Sequence, residues 1–310
     1  MDLRGEISEF LRSRRSRITP ESAGLSAGGN RRVPGLRREE VAVLAAISVD
    51  WYVRIERGNL SGVSDEVLHA LADALQLDDA ERQHLFDLAR ASAGPGRRGA
   101  AGSRFATTTT VSAGLIAMLE SMTGMPAWVR NHRFEVLAAN PLARALYSPL
   151  FGSEIAQGNN ALFTFLDPLA REFFVDWERN ADDIVAVLRG YAGAHPDDRE
   201  LSTLIGQLAT QSPEFSHRWA AHDVKHHRTG RKLLHHPIVG DLELGFEALT
   251  VPADASLHVF VYHPLDASSR EALQLLASWD ATERAEGDER AEDSERAGDA
   301  DGAEVSPPAR

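Results

Sequence analysis

The sequence predicts a multidomain protein, with an all-α head at the N-terminus followed by an α+β domain that contains a largely antiparallel sheet. A length of 310 residues exceeds one ordinary core and suits about two domains of roughly 100–200 residues each. Apolar residues recur at helical spacing throughout residues 1–91. Apolar and polar residues alternate only farther along the chain, at 242–247 and 257–262, as they do in β-strands.

The head is predicted to contain five helices joined by short turns. Ile7 and Phe10 lie at helical spacing in the first helix. Ser64 is a suitable N-cap for the fourth helix. Asp78, with Glu81 three residues later, forms a capping box that predicts the start of the fifth. The second and third helices carry the motif described below.

Changes in composition predict the boundaries of the domains. The head occupies residues 1–91, and the Gly- and Pro-rich segment 92–110 is predicted to be a linker. The α+β domain follows at 111–280. Residues 281–310 are acidic and poor in apolar side chains, so they cannot offset the entropy of an ordered chain and are predicted to be disordered.

The α+β domain is predicted to mix helices with strands. A pair of strands is expected at 128–129 and 134–138, and Asn140 is expected to cap the helix that follows it. Strands at 231–236 and 242–250 are predicted to be joined by a turn at Gly240 and Asp241, and a half-buried strand is expected at 257–262. The predicted helices are Val111–Ser121, Leu169–Leu188, Asp197–Leu208 and Ser268–Trp279.

The charge distribution permits binding to nucleic acid, although the net charge is −13. Residues 1–60 hold 11 Arg and 8 acidic residues, a net of +3, whereas residues 281–310 hold 4 Arg and 10 acidic residues, a net of −6. Salt screens charges beyond about 10 Å, so the basic first 60 residues can act apart from an acidic tail. The absence of cysteine excludes disulfides and thiolate chemistry. No signal peptide or apolar stretch of about 18 residues is found, so we expect a cytoplasmic protein without a membrane span or cofactor.

Residues 36–58 read as a helix, a tight turn and a second helix. Ala42 and Ala46 are small enough for two helices to approach closely, Ile47 fills the inside of the turn, and Ser48 is a suitable N-cap for the second helix. The face opposite the buried stripe is short and mixed, as a helix that enters the major groove requires. It carries Val49, Asp50, Val53, Arg54 and Arg57.

This segment resembles the XRE-type helix-turn-helix family, which is related to the phage lambda-type repressors, over about residues 4–91. The family pattern Glu-x-Ala…Ile-Ser…Ile-Glu-x-Gly is met by Glu40, Ala42, Ile47, Ser48, Ile55, Glu56 and Gly58. The resemblance implies that Val49, Asp50 and Arg54 face base edges and that Arg38 contacts phosphate. Arg54 is the first candidate for specificity, because arginine can bond guanine with two hydrogen bonds. The remaining candidates for the DNA-binding surface are Arg31, Arg32, Arg37, Ser48, Val53 and Arg57.

Alternative interpretations stay open for several of these residues. Asp50 could cap its helix or repel a wrong base, and Trp51 is expected to serve packing. Glu56 is expected to pair with Arg14 or Arg15 rather than with DNA. Arg31 and Arg32 could be solvated loop charges, and the helix pair as a whole could bind protein alone.

Three passages of the second domain resemble the ligand-binding domain of MmyB-like transcription regulators, which is similar to a PAS fold. They lie at 126–140, 176–198 and 212–240, within a match over about residues 112–277. The resemblance implies an apolar pocket for a small hydrophobic effector such as a fatty acid. Its characteristic positions, implied as ligand contacts, are Trp177, Arg189, Trp219 and His222.

Ordinary structural roles compete with this assignment. Trp177 and Trp219 could be core residues, and Arg189 and His222 could tie helices to the sheet. His222 and His226 stand four residues apart, a spacing that a metal accepts, although no HExxH motif is present. A metal-dependent hydrolase domain and a protein-interaction domain are therefore the alternatives. The favoured reading is a non-enzymatic regulator, a homodimer that binds a palindromic operator whose half-sites lie about one DNA turn apart.

Overall fold

A computed structural model of the chain describes residues 2–26, 33, 35–93, 110–221, 223, 229–279 and 282. Several predicted features lie outside the described residues. They are Arg31, Arg32 and His222, most of the predicted linker, and the predicted acidic tail apart from Thr282.

The head is helical, as predicted, and its helices surround one apolar core. Buried side chains from every helix, among them Phe10, Tyr52 and Leu71, form a single cluster. The helices of the head in the described chain are Leu3–Arg17 (α1), Arg38–Leu44 (α2), Val49–Glu56 (α3), Asp65–Ala74 (α4) and Asp79–Ser92 (α5). Ser92, predicted to begin the linker, is instead the last residue of α5.

The predicted caps are confirmed. The side chain of Ser48 accepts a hydrogen bond from the backbone N–H of Trp51 at 3.2 Å and begins α3. Ser64 begins α4 in the same way. Asp78 and Glu81 form a capping box at the start of α5. These caps satisfy N–H groups that a helix cannot satisfy by itself, which fixes where each helix begins.

The second domain contains an antiparallel sheet in the order β2-β1-β5-β4-β3. Trp128 and Arg130 of β1 pair with Phe260 and His258 of β5 in the centre of the sheet. Asn140 caps the helix after β2, as predicted. The strands are Ala127–Asn131 (β1), Val136–Ala139 (β2), Thr229–His236 (β3), Gly240–Val251 (β4) and Asp254–Pro264 (β5).

Helices cover both faces of this sheet. On one face, aromatic side chains of β1, β4 and β5 pack against helices from the middle of the domain. On the other face, apolar residues of β1 and β5 pack against the first helix of the domain. The helices are Ala113–Ser121 (α6), Pro141–Leu146 (α7), Ser148–Phe151 (α8), Asn160–Leu166 (α9), Leu169–Phe173 (α10), Trp177–Ala194 (α11), Arg199–Gln211 (α12), Pro213–Trp219 (α13) and 267–279 (α14).

Three predicted elements need correction. The predicted helix over Leu169–Leu188 is two helices, because the N–H of Val175 bonds to the carbonyl of Leu233 and Phe174 bridges to β3. The turn between β3 and β4 lies at 237–239 rather than at Gly240 and Asp241. It is held by Nδ1 of His236, which accepts the N–H groups of Ile238 and Val239. The strand at 257–262 is buried on both faces, because α6 covers the side of Leu257 and Val259 and helices from the middle of the domain cover the side of Phe260 and Tyr262, which was predicted to be open.

The two domains are packed against each other through α5 and α11. Their approach is close at Gly193, where an added Cβ would lie 2.5 Å from Cε1 of His84. His84 is buried, and its ring packs edge-on against Phe10 of the head core at 5.0 Å. The head is therefore positioned by the second domain as well as by its own core.

Candidate functional site

The outward face of α3 carries the residues that the sequence predicted for it. Ser48, Val49, Asp50, Arg54 and Arg57 are exposed, and Val53 is half-buried. On the inner face, Tyr52, Ile55 and Glu56 are buried. The eight residues of α3 therefore leave a short polar surface of the size that a DNA groove admits.

A depression of about 400 Å³ lies along this face and contains two residues that sequence reasoning missed. Arg4 comes from the start of α1, and Asn59 follows α3. Together with Arg54 and Arg57, Arg4 gives the depression three guanidinium groups against the one carboxylate of Asp50. No motif marked Arg4, because it reaches this face only through the packing of α1 on α3.

Gly58 brings Arg4 to this position. Its φ of +87° belongs to the left-handed region, where glycine is favoured. A Cβ at this residue would lie 2.3 Å from the carbonyl oxygen of Arg4. The glycine of the family pattern therefore allows the end of α3 to touch the beginning of α1.

Trp51 supports the candidate specificity residue. The guanidinium of Arg54 lies 4.9 Å from the centre of the indole ring, a cation–π contact that restricts the arginine. The capping oxygen of α3 belongs to Ser48. The side chain of Asp50 lies in the first turn, where a negative charge complements the helix dipole.

Glu56 links three parts of the head. Its carboxylate is 1% exposed and accepts a hydrogen bond from Nε of Arg15 at 2.5 Å, which confirms one of its two predicted partners. Arg38, predicted to contact phosphate, forms a second ion pair with Glu56. Burial by itself would raise the pKa of Glu56, but its hydrogen bonds and charge interactions with Arg15 and Arg38 outweigh burial and lower the pKa. Arg37 is exposed just before α2, where its backbone N–H donates to Glu40 at 2.6 Å.

The described residues among those predicted to contact an effector, Trp177, Trp219 and Arg189, lie in or against a row of aromatic side chains. The indole N–H of Trp177 donates to the carbonyl of Thr164 at 2.9 Å. Trp177 packs on Phe165, Phe165 on Phe215, and Phe215 stacks on Trp219, with ring centres 6.0, 5.1 and 5.5 Å apart. The guanidinium of Arg189 lies 4.1 Å from the centre of the Trp219 ring.

Arg189 lies at the boundary between the domains. Its side chain is fully buried, and it forms an ion pair with Glu6 of α1 and donates to the carbonyl of Trp219. Beside Trp177, a smaller cavity of about 90 Å³ opens between α11 and β3. Lys232 borders this cavity and donates to Asn180, and burial lowers the pKa of Lys232 to about 8.

Sequence reasoning also missed a buried polar group on the face of the sheet that carries Trp128 and Phe260. Arg130 is 2% exposed and lies between the rings of Phe134 and Phe260, at 3.9 and 4.7 Å. Its Nη2 has no hydrogen-bond partner among the described residues. Burial lowers the pKa of Arg130, while the hydroxyl of Tyr191 interacts favourably with the guanidinium. An arginine inside an apolar strand was the available signal in the sequence.

The histidines do not form a metal site within the described chain. Groups of three or more His, Asp or Glu residues suited to a metal ion are absent from the residues that the structure describes. His222 and His226, which suggested such a site, are outside those residues. His236 instead accepts a hydrogen bond within the turn after β3. The Nε2 atom of His258 forms a hydrogen bond with the Tyr191 hydroxyl at 2.7 Å.

Comparison with protein families agrees with this division of the chain. Residues 6–85 match a helix-turn-helix domain, and residues 111–276 match the MmyB-like transcription regulator ligand binding domain. No curated protein matches the chain. None of the helices in the described parts of the chain has the length and apolar character needed to cross a membrane.

The two domains together define a ligand-responsive DNA-binding transcription regulator. The match to the ligand-binding domain covers more than half of the 310 residues. The chain therefore belongs to the family of MmyB-like transcription regulators.

Proposed function

We propose that the protein recognises a specific operator by inserting α3 into the major groove. The observation that carries this proposal is the outward face of α3, where Arg54 and Arg57 stand exposed beside Arg4 around one depression. Arg54 reads a base edge, and Arg57, Arg37 and Arg38 contact phosphates. Val49 and Asp50 face neighbouring bases, and Val53 completes the contact surface. Ser48 holds the start of α3 against the DNA backbone.

The operator is proposed to be palindromic and to bind a homodimer. Two symmetric heads would place two copies of α3 in half-sites about one DNA turn apart. The first 60 residues carry a net charge of only +3, so two heads on one operator would supply phosphate contacts that a single head lacks. The predicted phosphate contacts Arg31 and Arg32 precede α2 in the chain.

Selection of bound duplexes from a random pool tests operator recognition. Arg54→Ala should relax the base preference at one position of the operator. It should also weaken the free energy of binding to the selected site by about 1–3 kcal/mol. Arg57→Ala should weaken binding to all DNA sequences alike. It should also reduce the slope of log affinity against log salt concentration by about one. Arg90→Ala on α5 removes an exposed arginine elsewhere in the head and should change neither property.

Unchanged sequence preference in Arg54→Ala would refute the assignment of that residue. Absence of salt-sensitive binding to any duplex would refute operator recognition as a whole, provided that the sample is folded.

We further propose that the effector is a small amphipathic molecule with an acidic group, such as a fatty acid. Burying a charge is costly unless it is paired, and Arg130 is a buried cation in an aromatic environment whose Nη2 has no hydrogen-bond partner within the described parts of the chain. A carboxylate would satisfy that donor with a charge-assisted hydrogen bond. The apolar part of the effector would lie among the aromatic residues between the sheet and α7–α10, with Trp177 and Trp219 as further predicted contacts.

Binding of dodecanoic acid and of dodecanol to the full chain tests this proposal by calorimetry. Arg130→Gln should weaken binding of the acid at least tenfold and leave the alcohol unchanged, while Arg130→Lys should retain part of the preference for the acid. Arg144→Gln, which removes an exposed arginine that lies over Phe151, is the matched control. Equal loss of acid and alcohol, or no loss of either, would contradict a role for Arg130 in charge recognition.

A further inference from the structure

Helix α1 contacts both the DNA-reading helix and the second domain. Toward α3, Arg15 pairs with Glu56, and the backbone of Arg4 touches Gly58. Toward the second domain, Glu6 pairs with Arg189, and Arg14 lies 3.4 Å from Asp223. One rigid helix therefore contacts both α3 and the effector-binding domain.

The contacts of α1 with the second domain are charged, and the pair formed by Glu6 and Arg189 is buried. Arg189 is fully buried and Glu6 is 8% exposed, while Arg14 is 2% exposed and also pairs with Glu81 of α5 at 3.0 Å. Arg17 adds an ion pair with Asp223 and a hydrogen bond to the carbonyl of Ala221 at 3.2 Å. Removing one partner of a buried pair leaves the other charge without compensation, so this interface responds strongly to small displacements.

The aromatic row leads from the sheet to this interface. It begins at Trp177, which packs in the core beside the sheet, and passes through Phe165 and Phe215 to Trp219. Trp219 contacts Arg189 through its ring and through its carbonyl oxygen. Densely packed side chains transmit displacement, so a molecule bound in that core would move the partner of Glu6.

We propose that Arg189 and Glu6 form the coupling contact through which the effector domain controls the position of α1 and, through α1, of α3. The regulatory role of this contact rests on the proposed function, but the docking of the two domains does not depend on that function. In the docked arrangement the outward face of α3 is exposed, so docking leaves this face free to bind DNA. An effector that displaces Trp219 and Arg189 weakens docking and lowers operator affinity.

Disulfide trapping in the full chain tests docking in solution. The protein contains no cysteine, so His84→Cys combined with Gly193→Cys introduces only the designed pair. Oxidation should give an intramolecular disulfide that joins α5 to α11, detected as a linked peptide by mass spectrometry. The single variants His84→Cys and Gly193→Cys are the controls. Failure of the folded double variant to form the intramolecular bond would overturn the docked arrangement.

A rescue experiment tests the coupling itself. Glu6→Gln should lower the affinity for a selected duplex at least fivefold and speed hydrogen exchange of the α3 amides at least threefold, whereas Glu21→Gln, an exposed change in the head, should do neither. A fivefold change is at the low end of typical allosteric coupling. The disulfide between positions 84 and 193 should restore both properties in Glu6→Gln, because it restores docking without restoring the carboxylate.

The outcomes separate this inference from the proposed function. Glu6→Gln with unchanged α3 exchange, or a defect that the disulfide does not rescue, would overturn the coupling role. If the wild-type protein binds no duplex, the proposed function fails, and the exchange measurement with its rescue still decides whether α1 links the second domain to α3.

Discussion

The carboxylate of Glu56 lies between the guanidinium groups of Arg15 and Arg38 and is 1% exposed. The hydroxyl of Tyr52 lies 3.4 Å from it and also donates to it. A buried anion with two cations fixes the relative positions of α1, α2 and α3. The family pattern marks Glu56 as a conspicuous residue, but the pattern by itself does not say that Arg38 is its second partner.

We expect Glu56→Gln to lower the free energy of unfolding by about 2–4 kcal/mol, because it removes a buried charge that pairs with Arg15 and leaves that half-buried guanidinium beside a neutral group. Denaturant unfolding of the full chain measures the change. Asp73→Asn, which breaks the exposed ion pair with Arg82, should cost no more than about 1 kcal/mol. Equal effects of the two substitutions would show that burial of Glu56 does not matter to stability.

Arg130 and Arg189 show what residue-level reasoning misses. Arg189 matched a family position and was predicted to contact an effector, and the structure places it against Glu6 of the head. Arg130 lies within the passage 126–140 that resembles the family, but the sequence predicts no role for it, although its buried donor is the feature that points to an acidic ligand. Both assignments require knowledge of a partner that is distant in the sequence.

At the scale of elements, capping residues and periodicity predicted the helices of the head well. Ser48, Ser64 and Asp78 each cap a helix through their own side chains, so the information is local. Prediction was weaker where a distant strand competes for the backbone. The helix expected over Leu169–Leu188 is interrupted because Val175 bonds to Leu233 of β3, more than fifty residues later.

Burial of β5 illustrates the same limit. Its alternating residues predicted a half-buried strand, but Val259 packs under α6 while Phe260 packs under the opposite layer. Period-two alternation assigns side chains to two faces, and it does not say which faces are covered. The helices that cover β5 are separate elements, and their packing on the sheet is decided only in the tertiary structure.

At the scale of the whole molecule, two half-buried histidines, His195 and His258, predict acid sensitivity. Burial, together with the charge of His132, lowers the pKa of His195 to about 4, and burial together with Arg130 lowers that of His258 to about 3. Burial also lowers the pKa of His236. The unfolded chain takes up these protons near pH 6.5, whereas the folded protein does not. The unfolded state therefore binds more protons below pH 6.5, and acid favours unfolding.

We expect the free energy of unfolding to fall between pH 7 and pH 5, by about 1–2 kcal/mol for each of His195 and His258. Denaturant unfolding at several pH values measures this slope. The double variant His195→Gln/His258→Gln should show a flatter dependence in this range, while His217→Gln, which changes an exposed histidine, should retain it. A slope that is the same in both variants would show that other groups cause the acid sensitivity.

The sequence by itself determined the two-domain plan, the caps and helices of the head, the outward face of α3 and the family of each domain. These features depend on neighbouring residues or on short motifs, and local chemistry encodes them. Only the tertiary structure decided that Arg4 joins the α3 face, that Arg130 is buried with no carboxylate beside it among the residues that the structure describes, and that Arg189 holds Glu6 across the domain boundary. Those contacts join residues far apart in the chain, because burial makes each buried charge depend on the partners that the whole fold brings to it.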